Sequence, residues 1–264
     1  MAAKKKTAVE IHIPKQRIER FDIWVGGGII GTTGEDTGSL LVVHQFSEKA
    51  RSEIRDRQGQ KAKGPRGVRL PHSEFVCSKY VDAKTLMEGL PCAAFRRAII
   101  DAASFVSGVT KVELRGSVFV QADGRTLDGL NIVKVYTTTG TAKFREDVVR
   151  LPTGSADLRY RSSYENWGAK LTLTIDPDII SAEQVHHLVE RAGFSVGLCE
   201  SRPQKSGEWG QFKLISEAQF KKLKPVTLTP KDFKILQTQM SMRNFGDDED
   251  ATAAPITKKT RKAS

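Results

Sequence analysis

The segment from Leu171 to Leu214 constrains the fold of this chain more than any other. Leu171, Leu173 and Ile175 alternate with polar neighbours, the two-residue period of a strand with one buried face. Asp176-Pro177-Asp178 then turns the chain. Beyond it, Ile180, Val185, Leu188, Val189 and Ala192 fall on one side of a helix. Ser181 stands at its N-cap with Glu183-Gln184 behind it, and Gly193 closes it as a C-cap. Phe194-Val196-Leu198 and Phe212-Leu214 follow as two further strands around a loop of Gly, Arg, Pro and Trp.

The resulting order of strand, helix, strand, strand suits a split βαβ unit of the ferredoxin-like kind. The first half carries a coarser version of the same design. Val9-Ile11-Ile13 and Ile18-Phe21-Ile23-Val25 read as one or two strands, and Leu40 to Val43 as a buried one. Ser47 suits the N-cap of a helix running to about Gln58. Pro91 opens a longer helix in which Phe95, Ala98, Ile99, Ala102 and Phe105/Val106 repeat at helical spacing. Val112-Leu114 and Val118-Val120 around Gly116, Leu130 to Val135, and Val148 to Leu151 read as strands. The expected class is α+β, with antiparallel sheets and helices on one face, arranged as two ferredoxin-like halves or one fused sheet. The expected divisions are a flexible basic arm at 1–8, a first half at 9–151, a second half at 152–242 that ends in two short helices, and a disordered tail at 243–264.

Several chemistries are excluded early. No apolar run approaches the roughly 18 residues that span a bilayer, so no membrane partner is expected. Met1 to Lys6 is basic with no apolar core behind it, unlike a secretory signal. Three cysteines (Cys77, Cys92 and Cys199) are odd in number and far apart, which argues against a disulfide framework or a zinc site and for a reducing compartment. Gly26-Gly27-Gly28-Ile29-Ile30-Gly31 satisfies a dinucleotide-binding fingerprint. Thr32 to Gly38, however, is a loop-forming sequence that cannot supply the helix N-terminus the phosphate needs. His186 and His187 are adjacent and point to different faces, and no nucleophile elbow is present. Neither a cofactor, a metal nor a catalytic centre is expected.

The charge is the informative remainder. Lys and Arg number 42 against 31 Asp and Glu, a net +11. Between Lys49 and Arg69 lie eight basic residues (Lys49, Arg51, Arg55, Arg57, Lys61, Lys63, Arg66 and Arg69) and two acids, a local excess of +6. With Lys4, Lys5 and Lys6 these segments hold +9, leaving the remainder nearly neutral. Tracking a phosphate backbone needs such a concentration of cations, because each neutralised phosphate releases counterions. Arg159-Tyr160-Arg161 with Trp167, and Arg202 with Trp209, add arginines interleaved with rings that stack on unpaired bases. A second reading of the two tryptophans, as cover for the core edge, stays open. The acidic block Asp247 to Asp250 offers a protein partner a contact or aids solubility.

Ser47 to Arg51, Pro91 to Ala98, Arg145 to Arg150, Leu158 to Arg161, and Ala192 to Gly197 with Glu200 to Pro203 resemble a family of poorly characterised tailed-bacteriophage proteins. That resemblance implies a phage or prophage origin and expression in the bacterial host cytoplasm. Two ferredoxin-like halves with the glycine-containing loop Gly193 to Gly210 are similar in outline to the RAMP superfamily of CRISPR RNA-binding subunits. This second resemblance implies binding of single-stranded RNA along its backbone, and assembly into filaments. The expectation is a non-enzymatic nucleic-acid-binding protein that prefers single strands and forms homo-oligomers on them. The alternative is a phage virion or assembly protein.

Overall fold

The computed structural model describes residues 15–28, 39–45, 69–150 and 154–241, together with Arg51 and Ile54. The expected strand at 9–13, the loop at 59–67 and the tail from 243 lie outside these. Among the described residues, strands β1 (Glu19–Gly27), β3 (Tyr80–Val81), β4 (Glu88–Pro91), β5 (Val118–Val120), β6 (Gly124–Arg125), β7 (Asn131–Thr137), β10 (Trp167–Ile175), β11 (Lys213–Leu214) and β12 (Lys224–Pro225) form one sheet. Its main path runs β11-β1-β10-β7-β4-β3, and every pairing is antiparallel. A second sheet has the order β2-β9-β8, from Leu41–Val43, Ala156–Tyr164 and Lys143–Arg150. The helices are α1 (Pro71–Cys77), α2 (Cys92–Ala102), α3 (Lys111–Ser117), α4 (Ala182–Arg191), α5 (Glu217–Phe220) and α6 (Pro230–Ser241).

The β1–β10 pair is the spine. Its register runs without a break from Glu19 opposite Ile175 to Gly27 opposite Trp167. Alternation sends Ile23, Val25, Ala169, Leu171 and Leu173 into the core beneath α2 and α4, where Phe95, Ile99, Val185, Leu188 and Val189 meet them. A slip of one residue would turn all of these to the opposite face. Burial of each large apolar side chain contributes about 1.5–3 kcal/mol. The opposite face carries a smaller cluster of Ile215 and Leu223 with Trp24, Tyr136 and Phe220, so the one-turn helix α5 sits away from α2 and α4. The α+β class and antiparallel pairing match the sequence expectation, but the two halves do not each own a sheet. Strand β10 lies between β1 and β7, and the expected boundary at 151/152 falls between β8 and β9, which pair along their length.

The cap expected at Ser181 is present: its hydroxyl accepts from Gln184 N at 3.2 Å, and Gln184 returns the contact to Ser181 N at 2.9 Å. The end of that helix differs from expectation. The chain continues through a wider π-helical turn, Ala192–Val196, and stops at Gly197, whose φ of 69° is the left-handed one. Gly193 is glycine for another reason, since a Cβ there would strike the Phe212 carbonyl. The alternation of Phe194, Val196 and Leu198 imitates a strand but follows this turn. Residues 111–117 are likewise helical, because Thr110 and Glu113 form a reciprocal capping box that outweighs the β-branched Val112. In β1, Gly27 leaves room for the Trp167 indole.

A buried ionic link joins the two sheets. Lys79 Nζ donates to Glu88 Oε1 at 2.8 Å, and the Tyr164 hydroxyl on β9 donates to Glu88 Oε2 at 2.6 Å. Burial, with the Glu88 charge second, drives the Tyr164 phenol well above its ordinary pKa. Helices α1 and α6 close this end through Phe75, Val76, Tyr160 and Leu228, with Phe233 and Leu236 packed on them.

Candidate nucleic-acid interface

Arginines gather on one side of the three-stranded sheet. Alternation along β9 directs Tyr160, Ser162 and Tyr164 towards α1 and the core, which leaves Arg159 and Arg161 on the other side. The β8–β9 register sets Arg145 opposite Arg161 and Asp147 opposite Arg159. Two like charges directly across a ladder work against the pairing, and carboxylates offset this one. Asp147 accepts from Arg145 Nε at 2.8 and 3.0 Å and lies 3.8 Å from Arg161 Nη1. Glu200, whose N–H is tied to the Val42 carbonyl of β2, lies 3.9 Å from the same nitrogen. The Arg145 guanidinium also rests 4.4 Å from the centre of the Trp209 ring, a contact worth about 0.5–1 kcal/mol at such a site.

Arg161 is the unusual member. The residue is only 3% exposed, its Nε has no hydrogen-bond partner among the described residues, and both carboxylates stand beyond hydrogen-bond reach of Nη1. Burial pulls its pKa below the ordinary guanidinium value, while Glu200 and Asp147 act in the opposite direction. An unsatisfied buried donor costs about 1–3 kcal/mol, and more when charged. His44, one residue past β2, is held below its ordinary imidazole pKa, chiefly by burial. Glu200 works against that shift, and Arg161 and Arg159 add to it.

The other expected site residues divide. Lys49, Arg55, Arg57, Lys61, Lys63 and Arg66 lie outside the described residues. Arg51 is helical and stands 4.0 Å from Asp128. Arg69 does not present a free guanidinium: it donates to both Glu74 oxygens at 3.0 and 2.8 Å and to Asp157 at 3.0 Å, bracing α1 against β9. The Glu74 hydrogen bonds hold its pKa up. Arg159 lies 3.7 Å from Asp157. Two aromatic expectations need correction. Trp167 is 0% exposed, with its Nε1 donating to the Ser39 carbonyl at 3.0 Å and its ring edge-on to Phe212. Tyr160 is buried against α1 with Phe144 beside it. Neither ring can receive a base, because strand alternation turns both inward. Trp209 is half-buried under Arg145 and is the one of the three rings that keeps some surface.

Arg202 sits in a loop, 197–210, that holds Cys199, Ser201 and Ser206 at φ values of 60°, 46° and 60°. It donates to the Cys199 carbonyl at 3.2 Å and to Gln204, so its guanidinium stabilises this conformation. Gly207 belongs to the same device, since a Cβ there would meet the Ser201 carbonyl. Sequence reasoning missed Arg145, Asp147, His44 and Glu200. The signal for the first two was present: Arg145 and Asp147 share strand parity with one another, as do Arg159 and Arg161. Glu200 is distant in sequence and carries no such signal. Among the described residues, no three His, Cys, Asp or Glu side chains gather where they could hold a metal ion, and no helix is long and apolar enough to cross a membrane.

No model of a known protein family matches the chain, and no curated protein matches it. Among solved structures, Cmr6 from Pyrococcus furiosus is similar at 13% identity and a TM-score of 0.30, over 76% of this chain and 100% of that chain.

Proposed function

We propose that this protein binds nucleic acid through the phosphate backbone, prefers single strands, and performs no chemistry of its own on the polymer. The observation that carries the reading is the group of arginines on one side of the three-stranded sheet, Arg145 and Arg159 part-exposed at its surface and Arg161, with an unpartnered Nε, buried beside them. An oxyanion is the natural complement of the part-exposed Arg145 and Arg159 guanidinia, because Arg–phosphate contacts are charge-assisted. The +6 segment begins at Lys49, six residues after the end of β2 at Val43, and ends at Arg69, which donates to Asp157 of β9. Asp147, Glu200 and Asp157 keep the arginines themselves balanced, which supports the 49–69 segment as the source of net attraction and the sheet as the positioning surface. Trp209 under Arg145 supplies a ring for one unpaired base.

The test is fluorescence anisotropy with labelled single-stranded DNA, single-stranded RNA and duplex across a salt series. Binding to single strands should weaken linearly in log–log form. Neutralising Lys61, Lys63 and Arg66 together should reduce the slope by roughly 0.7 per lost phosphate contact. Arg159→Gln should weaken all strands alike. Absence of binding to any of the three polymers at low salt would overturn the reading.

A further inference from the structure

Strand β8 is an edge. It pairs with β9 on one side and with no other strand among the described residues, so eight residues of backbone line its outer rim. Natural sheets blunt such an edge or use it for pairing. This one is also apolar on the face that carries Tyr160. Phe144 is 50% exposed, Val148 70% and Leu158 38%, and Val148 stands directly opposite Leu158. Large side chains displayed together along an unpaired strand mark an interaction surface.

We infer that β8 pairs with β8 of a second copy of this chain, antiparallel, around a two-fold axis at Glu146. The sequence Lys143-Phe144-Arg145-Glu146-Asp147-Val148-Val149-Arg150 selects both the partner and the register. Direct partners in an antiparallel pair share a face, so a two-fold arrangement must centre on a residue. Centred on Glu146, Phe144 of each copy meets Val148 of the other, and Arg145 of each meets Asp147 of the other. Two apolar pairs and two opposite-charge pairs result. Centred on Arg145, the axis opposes two arginines and sets Phe144 against Glu146. Centred on Asp147, it opposes two aspartates, sets Glu146 against Val148 and puts Phe144 against Arg150. Centred on Val148, Val148 meets its counterpart and Glu146 meets Arg150, but only residues 146–150 of each strand then pair, with one apolar contact; the Glu146 register pairs residues 143–149 and gives two. Its one cost is the meeting of the two Glu146 carboxylates at the axis, like charges placed directly across the ladder. The product is a continuous six-stranded sheet, β2-β9-β8 followed by the same three strands in reverse, and no edge remains at β8. This inference stands apart from the nucleic-acid reading, since the pairing needs no polymer.

The experiment is sedimentation velocity on nuclease-treated full-length protein. A concentration-dependent dimer is expected. Glu146→Gln should tighten it about twofold to fivefold by removing the axial repulsion. Val148→Lys, at a well-exposed position, should weaken it at least roughly tenfold by placing a cation against Phe144. Glu146→Cys should give a disulfide-linked dimer on mild oxidation, whereas Arg150→Cys should not. The inference is overturned if the protein stays monomeric up to about 0.1 mM, where even a weak interface populates a dimer. It is equally overturned if Glu146→Gln fails to tighten the dimer, if Val148→Lys leaves it intact, or if the Arg150→Cys variant cross-links and the Glu146→Cys variant does not.

Discussion

Removing the Lys79 ammonium should be among the most damaging single changes to this fold. Lys79 and Glu88 expose only 6% and 2% of their side chains and meet at 2.8 Å. The second carboxylate oxygen of Glu88 accepts from Tyr164 at 2.6 Å, so Glu88 ties β4 to both Lys79 and β9. In Lys79→Met an unbranched stem is kept, but the ammonium 4.2 Å from the centre of the Phe75 ring is lost, and the carboxylate loses its counter-charge and retains one donor. Breaking one side of a buried pair costs about 3–5 kcal/mol. A domain's whole stability is about 5–15 kcal/mol, so the variant should lose about a fifth of it or more. Replacing the whole set, as Lys79→Met with Glu88→Leu and Tyr164→Phe, leaves no orphaned polar group and should return to within about 2 kcal/mol of the parent. Urea unfolding followed by tryptophan fluorescence, with the buried Trp167 as reporter, gives both numbers. A cost below about 1 kcal/mol for Lys79→Met, or a triple variant as unstable as the summed singles, would refute the reasoning.

Three further outcomes follow from local geometry. Gly193→Ala should cost about 1–3 kcal/mol or more by driving a methyl into the Phe212 carbonyl, while Gly116→Ala, with open space around it, should stabilise α3 by about 0.5–1 kcal/mol; thermal melts compare the two. His44, with its folded pKa depressed, contributes fully above about pH 6.5. As pH falls through that value the unfolded chain takes up a proton that the folded chain resists, so stability should decline, and His44→Gln should flatten the decline in urea titrations at pH 7.5 and 5.5. Trp167→Phe should lower stability by about 1–3 kcal/mol through its lost bond to Ser39 yet leave nucleic-acid affinity within error in the anisotropy assay, because the ring has no surface.

The elements legible in sequence are those whose period agrees with their environment. Strand β10 shows three apolar positions at period two, and α4 shows both its stripe and its cap, so each stands where expected. Strand β9 was not legible, because it buries residues of both parities: Tyr160 and Tyr164 on one side, Arg161 under Glu200 on the other. A strand buried on two faces loses its alternation, and with arginine and serine on it the run also loses its apolar appearance. The merging of the two halves was equally hidden. The partners of β10 are β1, some 150 residues earlier by register, β5 and β7, and no local pattern encodes which strands a strand will choose.

The candidate site shows why charge read along a chain and charge read in space disagree. Arg145, Arg159 and Arg161 look like a basic run in a nearly neutral body, and their strand parity does place them together. In the fold, each stands within 4 Å of a carboxylate, and one of these, Glu200, comes from a loop 39 residues beyond Arg161. Such pairing lowers the local field, and on the proposed reading the surface would orient phosphates better than it attracts them. On that reading the attraction comes from the basic excess that the sequence concentrates between Lys49 and Arg69. Arg69 at the far end of that stretch is already engaged by Glu74 and Asp157. The division of labour makes a distinct demand on mutants. Changes at Lys61, Lys63 and Arg66 should alter affinity and its salt slope together, whereas exchanging Arg145 for Lys should keep the slope and lose the planar contact with Trp209. If Arg145→Lys moved the salt slope as much as a neutralised loop lysine does, the sheet would be an attracting surface in its own right, and its carboxylates would not be screening it.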